Sequence, residues 1–201
     1  MARITGPKHR LARREGVNVL EKQSASLDRR MNVPPGIHGR KGGRRKVSGY
    51  GLQLREKQKL KKFYGLLEKQ FRKYVVEAQK ERTNTEDALL RLLESRLDNL
   101  VFRLKLANSR FQARQYVSHG HVLVNDKKVN IPSYSVKEGD IVALSPKLVK
   151  NEVIAARLSE EVTLPDYLVR EAISGKVVRY PKREEIQNPV DYQLVIEFYS
   201  R

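Results

Sequence analysis

The chain has no cysteine and no tryptophan, and only two methionines among its 201 residues. Without cysteine, neither a disulfide nor a thiolate-held zinc can brace the fold. No apolar run approaches the roughly 20 residues of a membrane span. The start, Met1-Ala2-Arg3-Ile4-Thr5-Gly6-Pro7, lacks the apolar stretch of a secretory signal, and Glu15 and Glu21 run against an acid-poor organellar leader. These absences read as a soluble intracellular protein. Acid is also scarce, with 23 Asp and Glu against 41 Lys and Arg, a net charge of +18.

That charge is graded along the chain. Residues 1–46 hold thirteen basic and three acidic residues, 47–82 ten and four, 83–150 eleven and seven, and 151–201 seven and nine. Charge so dense at one end draws polyanions, which makes nucleic acid the expected partner over a soluble protein with a basic tail. Hydrophobic residues at 39% and charged residues at 32% allow folded parts with a large polar surface. The length fits one large domain or two small ones.

Residues 1–49 form a Gly-rich arm with Pro34-Pro35 and few apolar residues. Pro7 predicts a short helix to Arg14 that Gly16 ends; beyond it, too little apolar surface is present for the arm to order by itself. From Tyr50 helix formers dominate. A charged helix runs from Leu52 to Phe63, and a second carries Leu67, Phe71, Tyr74, Val75 and Ala78 at helical spacing. Asn84 with Asp87 opens a third, burying Leu89, Leu92 and Leu93, and its pattern runs on through Leu97, Leu100, Val101 and Leu104. Ser109 caps a helix to His119, with Gln112 at the reciprocal capping position, and Gly120 stops it. The period then alternates: His121 to Val124, a turn at Asn125-Asp126 and Lys128-Val129 read as a hairpin. A further strand is expected at Ile141–Leu144 after the Glu138-Gly139-Asp140 turn. Lys147 to Leu158 shows weak helical spacing. Ser174-Gly175 is read as a turn between strands at 167–170 and 177–180. The run Leu194 to Tyr199 fits either a strand or a buried helix.

Two sets of residues carry a resemblance. Residues 94–144, from Glu94-Ser95-Arg96-Leu97-Asp98-Asn99 through Ser109-Arg110-Phe111-Gln112-Ala113-Arg114-Gln115 to His119-Gly120-His121-Val122-Leu123-Val124-Asn125, resemble the S-four RNA-binding module. The flanks narrow it: Arg13-Arg14-Glu15-Gly16, Pro35-Gly36-Ile37-His38-Gly39, Leu54-Arg55-Glu56-Lys57-Gln58-Lys59 and Ile196-Glu197-Phe198-Tyr199-Ser200-Arg201 resemble the S-four family of bacterial-type small-subunit ribosomal proteins. The resemblance implies an α+β fold, with a mostly helical first domain and an inserted module of helices packed on a small antiparallel sheet. The implied division is a basic arm at 1–49, a helical domain at 50–93 plus about 184–201, and the RNA-binding domain with its β extension at 94–183. The C-terminal run would then be a helix on the N-terminal helices. Implied partners are small-subunit ribosomal RNA, messenger RNA near its entrance and neighbouring small-subunit ribosomal proteins, in the cytoplasm or an organelle, with no membrane. The implied role is structural: nucleating assembly, and contributing to translational accuracy. Some members hold a zinc with four N-terminal cysteines; here His9 and Ala12 stand at the first two places, so no metal and no cofactor is expected, and residues 1–45 should need RNA to order.

Phosphate asks for cations, and reading bases or loops asks for amides and stacking planes. The candidate contacts are Ser109, Arg110, Gln112, Arg114, Gln115, Asn108 and Ser118 around one helix, with Arg110 and Arg114 on one face. His119, His121, Asn125, Lys127 and Lys128 follow on the hairpin. Capping alone would explain Gln112. Arg96 is included, with Asp98 expected to orient it or Arg103 by paired hydrogen bonds. Lys57, Lys59, Lys61 and Lys62 cannot share one helical face, so Arg55, Lys57 and Lys61 are chosen. Arg3, Arg10, Arg13 and Arg14 complete the start of the arm, and Arg40, Lys41, Arg44, Arg45 and Lys46 its basic end, with messenger contact implied for the latter. Two other classes sharing the module fit less well. A pseudouridine synthase needs a catalytic domain for which 145–201 is too short. A small heat-shock RNA-binding protein lacks the helices of 50–93. The nucleotide-cradling G-x-x-x-x-G-K-[ST] pattern is absent.

Overall fold

The computed structural model describes residues 4, 6–19, 24–37, 39, 47–82, 84–158, 163–186 and 188–200. Pro7 precedes helix α1 (Lys8–Glu15), and Gly16, at φ 73°, closes it by donating its N–H to the Ala12 carbonyl. After α2 (Ala25–Asp28), Leu27 joins Ala12 and Val19 in a small buried cluster with Leu11 and Met31 packed on it. The described part of the arm thus has a local apolar cluster that its composition did not predict.

Ser48 caps α3 (Gly49–Phe63) by accepting the Gly51 N–H, and α4 (Glu68–Lys80) follows a reversal at Gly65, φ 64°. Asn84 Oδ1 accepts the Glu86 N–H at the start of α5 (Thr85–Glu94). The expected continuous helix does not run on: the chain breaks at Ser95-Arg96 and restarts as α6 (Leu97–Arg103). The cause is lateral. The Leu97 and Asp98 N–H groups donate to the Tyr134 and Pro132 carbonyls, and the Val136 N–H donates to Ser95 O. A strand-like segment has taken the backbone groups that a continuous helix would use.

Helix α7 (Arg110–Ser118) leads into β1 (Val122–Val124), and β2 (Lys127–Lys128) returns across a turn in which Asn125 (φ 47°) and Asp126 (φ 62°) are both left-handed. That is the two-residue turn whose twist suits a hairpin. Strand β3 (Ile141–Leu144) precedes α8 (Pro146–Val149) and α9 (Glu152–Leu158). Then come β4 (Leu168–Glu171) and β5 (Ser174–Val177), a 3₁₀ turn at Arg183–Glu185, and α10 (Tyr192–Tyr199), capped by Asp191. The sheet is antiparallel in the order β2-β1-β3-β5-β4.

The last hairpin corrects the expected turn. Its bend is at Ala172-Ile173, and Ser174-Gly175 lies within β5. Gly175 is there for packing: a Cβ would come within 2.4 Å of Leu104 Cδ2. Two compact units result, residues 1–86 with 188–201 and residues 87–187, the division falling inside α5. In the first, α10 packs on α3 and α4, with Tyr192 and Val195 buried. In the second, Leu97, Leu100 and Val101 of α6, Leu104 just after it, and Ala113 and Val117 of α7 pack with Val122, Val124, Val142, Leu144 and Val177 of the sheet. The architecture is α+β.

Candidate nucleic-acid interface

The module's charged residues divide by where their polar atoms point. Arg96 is 1% exposed; its Nε and Nη2 donate to both Asp98 carboxylate oxygens at 3.0 and 2.7 Å. Glu94, equally buried, accepts from Arg103 Nε at 3.1 Å, Arg103 Nη2 at 2.9 Å and Asn99 Nδ2 at 2.7 Å. Arg110 Nε donates to Asn99 Oδ1 at 2.8 Å, and its guanidinium lies 4.5 Å from the Phe102 ring centre. Such paired, desolvated charges fix orientation, and losing one partner is costly. Arg96 and Arg110, candidate RNA contacts by sequence, are thus buried: Arg96 is tied to Asp98 at the start of α6, and Arg110 ties α7 to Asn99 of α6. Arg114 is half-buried, with Nη1 3.9 Å from Asp98. Asp98 does orient Arg96; Arg103 answers to Glu94, a partner the sequence reading missed along with Asn99.

Other predicted contacts have local duties. Ser109 Oγ accepts the Gln112 N–H, while Gln112 accepts from the Asn108 N–H at 2.7 Å and donates to Tyr116 at 2.6 Å. The Gln112 amide is thus occupied by bracing contacts, its oxygen taking the Asn108 N–H rather than that of the Ser109 cap. Ser118 Oγ donates to the Arg114 carbonyl. Asn125 donates to Asp140 at 2.8 Å and accepts the Ile141 N–H at 3.0 Å, so its amide ties the hairpin turn to β3.

What remains outward is a polar set along α7 and the hairpin that follows it. Asn108, Gln115, His119, Lys127 and Lys128 are exposed, and His121 is half-buried. Gly120, at φ 69°, brings the helix end against the hairpin; a Cβ there would meet Lys128 Cε at 2.2 Å. The His119 and His121 ring centres lie 6.2 Å apart on either side of that glycine. The two imidazoles and the Lys128 side chain thus meet where α7 ends and the hairpin begins. This mixture suits phosphate and base edges together.

In the helical unit the α3 lysines turn inward. Lys57, 6% exposed, pairs with Glu68 at 2.8 Å and lies 4.5 Å from the Phe198 ring centre. Lys59 pairs with Glu56, Lys61 with Glu68 at 2.7 Å, and Lys62 with Glu15. Tyr199 donates to Glu68 at 2.6 Å. Burial pushes the Glu68 carboxyl up, but hydrogen bonds from Lys57, Lys61 and Tyr199 prevail and hold it at about 2. Of the three cations chosen on α3, Lys57 and Lys61 belong to this clasp, and Arg55 alone is exposed. The sequence reading missed Lys69, Arg72, Lys73 and Lys80. They are exposed along α4, opposite buried Phe71, Val75 and Ala78. The signal was present: offsets of three, four and eleven residues repeat on one helical face.

In the arm, Arg10 and Arg14 are exposed, whereas Arg13 donates to the Val33 carbonyl at 2.9 Å and the Pro34 carbonyl at 3.2 Å. Arg13 is a tie within the arm. Arg3, Arg40, Lys41, Arg44, Arg45 and Lys46 lie outside the described residues.

An α6–α7 frame joined to a hairpin, preceded by a cationic helical unit, places the chain among proteins built on the S4 domain. Residues 95–142 match the description "S4 domain", and residues 3–94 match "Ribosomal protein S4/S9 N-terminal domain". A Dictyoglomus turgidum protein named small ribosomal subunit protein uS4 is 51% identical over 208 aligned residues, covering 100% of both chains. Proteins of the same name from Akkermansia muciniphila and Halothermothrix orenii are each 48% identical, again with 100% of both chains covered. The chain belongs to the uS4 family.

Proposed function

We propose that this chain is a structural constituent of the small ribosomal subunit, working without catalysis as a primary binder of the subunit's RNA. The observation that carries the reading is end-to-end similarity to proteins named for that subunit, on a chain of net charge +18. Residues 94–183 serve as the RNA-binding domain and 50–93 with about 184–201 as a helical platform. Gln115, His119, Lys127, Lys128 and Asn108 meet the RNA from the first. Arg55 and the α4 stripe Lys69, Arg72, Lys73 and Lys80 meet it from the second. Arg10, Arg14 and the cations of 40–46 extend the contact, the latter toward messenger RNA at its entrance. Binding where several RNA helices meet lets such a chain nucleate assembly, and its place near the messenger path gives it a part in accuracy. Neighbouring small-subunit proteins are its other partners, and the cytoplasmic ribosome, or an organellar one, is its location.

The mechanism is release of counterions from folded RNA by many cations, with amides and imidazoles selecting shape. If about six to ten phosphates are neutralised, affinity for a small-subunit RNA transcript falls about 10³-fold or more between 50 and 200 mM salt. Filter binding checks this. A flat salt response would remove the mechanism.

A further inference from the structure

Three helices of this chain end on the same backbone device, and one of the three breaks its chemical rule. After α7, Gly120 is left-handed (φ 69°), donates to Val117 O, and His121 donates back to Tyr116 O. After α3, Gly65 (φ 64°) donates to Lys62 O, and Leu66 donates to Lys61 O. After α6 the same pair of bonds recurs, from the Lys105 N–H to Phe102 O at 2.9 Å and from the Leu106 N–H to Val101 O at 3.1 Å. There the left-handed residue, at φ 56°, is lysine. Glycine is strongly favoured at that position because a Cβ crowds the neighbouring carbonyl. A long cationic side chain is therefore held where the backbone disfavours any side chain. Such an outlier motivates a functional hypothesis.

The surroundings say what the cation does. Lys105 is exposed and has no carboxylate partner among the described residues, unlike the paired lysines of α3. Its ammonium lies 5.9 Å from the Phe102 ring centre, on the ring that also carries the buried Arg110 guanidinium. It opens the short loop to exposed Asn108 and the Ser109 cap. Lysine near a helix C-terminus also favours the dipole, but that benefit does not require the strained position.

We infer that Lys105 is a phosphate-contacting residue of this module, a specific cation placed on the RNA face at a cost in local stability. The inference rests on the RNA-binding reading above and adds a residue to it. The test compares full-length wild type with Lys105→Gly, Lys105→Gln and Lys105→Arg, measuring thermal unfolding and binding to an in vitro transcript of bacterial small-subunit ribosomal RNA across a salt series. Lys105→Gly should melt about 2–6 °C higher, because the strain is gone, yet bind about fivefold more weakly at low salt, with its salt slope reduced by about one. Lys105→Gln should lose affinity without the thermal gain, and Lys105→Arg should keep affinity. If Lys105→Gly binds with wild-type affinity and slope while wild type shows a steep salt response, this inference fails and the RNA-binding reading stands. If wild type itself shows no salt response, the underlying reading fails.

Discussion

Helix α3 and the RNA-binding module handle positive charge in opposite ways. On α3, four lysines within six residues each find a carboxylate: Lys57 and Lys61 share Glu68, Lys59 takes Glu56, and Lys62 takes Glu15. In the module, the internal ion pairs gather at Arg96, Arg103 and Arg114, leaving Gln115, His119, Lys127 and Lys128 outward at one helix–hairpin junction. Counting cations therefore overstates what α3 offers a polyanion. It understates α4, whose exposed stripe sits behind a less conspicuous sequence.

The comparison breaks most severely at Asp98. In Asp98→Ala the Arg96 guanidinium is left buried without its bidentate partner, and the chain should lose about 3–5 kcal/mol of stability in urea unfolding. A loss below about 1 kcal/mol would mean that Arg96 is solvated and available to RNA. Next in size, Gly175→Ala drives a methyl into Leu104, a buried neighbour, and should cost about 1–3 kcal/mol in the same assay. A neutral result would return Gly175 to the turn role its sequence suggested.

The contrast within the helical unit sharpens with matched substitutions. Lys73→Gln should lower the salt slope of RNA binding by about one, whereas Lys59→Gln should leave it unchanged. Equal slopes for the two variants would erase the distinction between paired and unpaired cations. The smallest expected effect is a pH dependence. Glu68 is held at about 2, below its ordinary value of 4.5, so its contribution is complete above about pH 4.5 and is lost as pH falls toward 2. Wild type should therefore lose stability across that window more steeply than Glu68→Gln, read as urea midpoints at pH 5, 4 and 3. Parallel curves would show that the Lys57–Glu68–Tyr199 clasp is not held by ionisation.

Local chemistry was legible wherever one residue decides the backbone. Ser109 caps α7, Gly16 and Gly120 end helices, and Asn125-Asp126 turns the hairpin, all as their residue types imply. The C-terminal run left strand and helix open from periodicity, although Asp191 accepts the Leu194 N–H as a helix cap should. Features set by distant partners were not legible. The break between α5 and α6 depends on backbone groups of 132–136, which hydrophobic spacing cannot register. The role of Gly175 depends on Leu104, and three of the four α3 lysines, Lys57, Lys61 and Lys62, are neutralised by Glu68 and Glu15 from other elements. The assignment of individual cations turned on pairings that only the folded chain reveals.

Lysine acetylation footprinting by mass spectrometry, on the free chain and on its complex with small-subunit ribosomal RNA, tests this division most directly. Lys73, Lys105, Lys127 and Lys128 should react readily in the free chain and be protected at least severalfold by RNA, while Lys57 and Lys59 react slowly in both states. Equal reactivity of Lys127 and Lys128 with and without RNA, together with RNA protection of a reactive Lys57 and Lys59, would contradict the account.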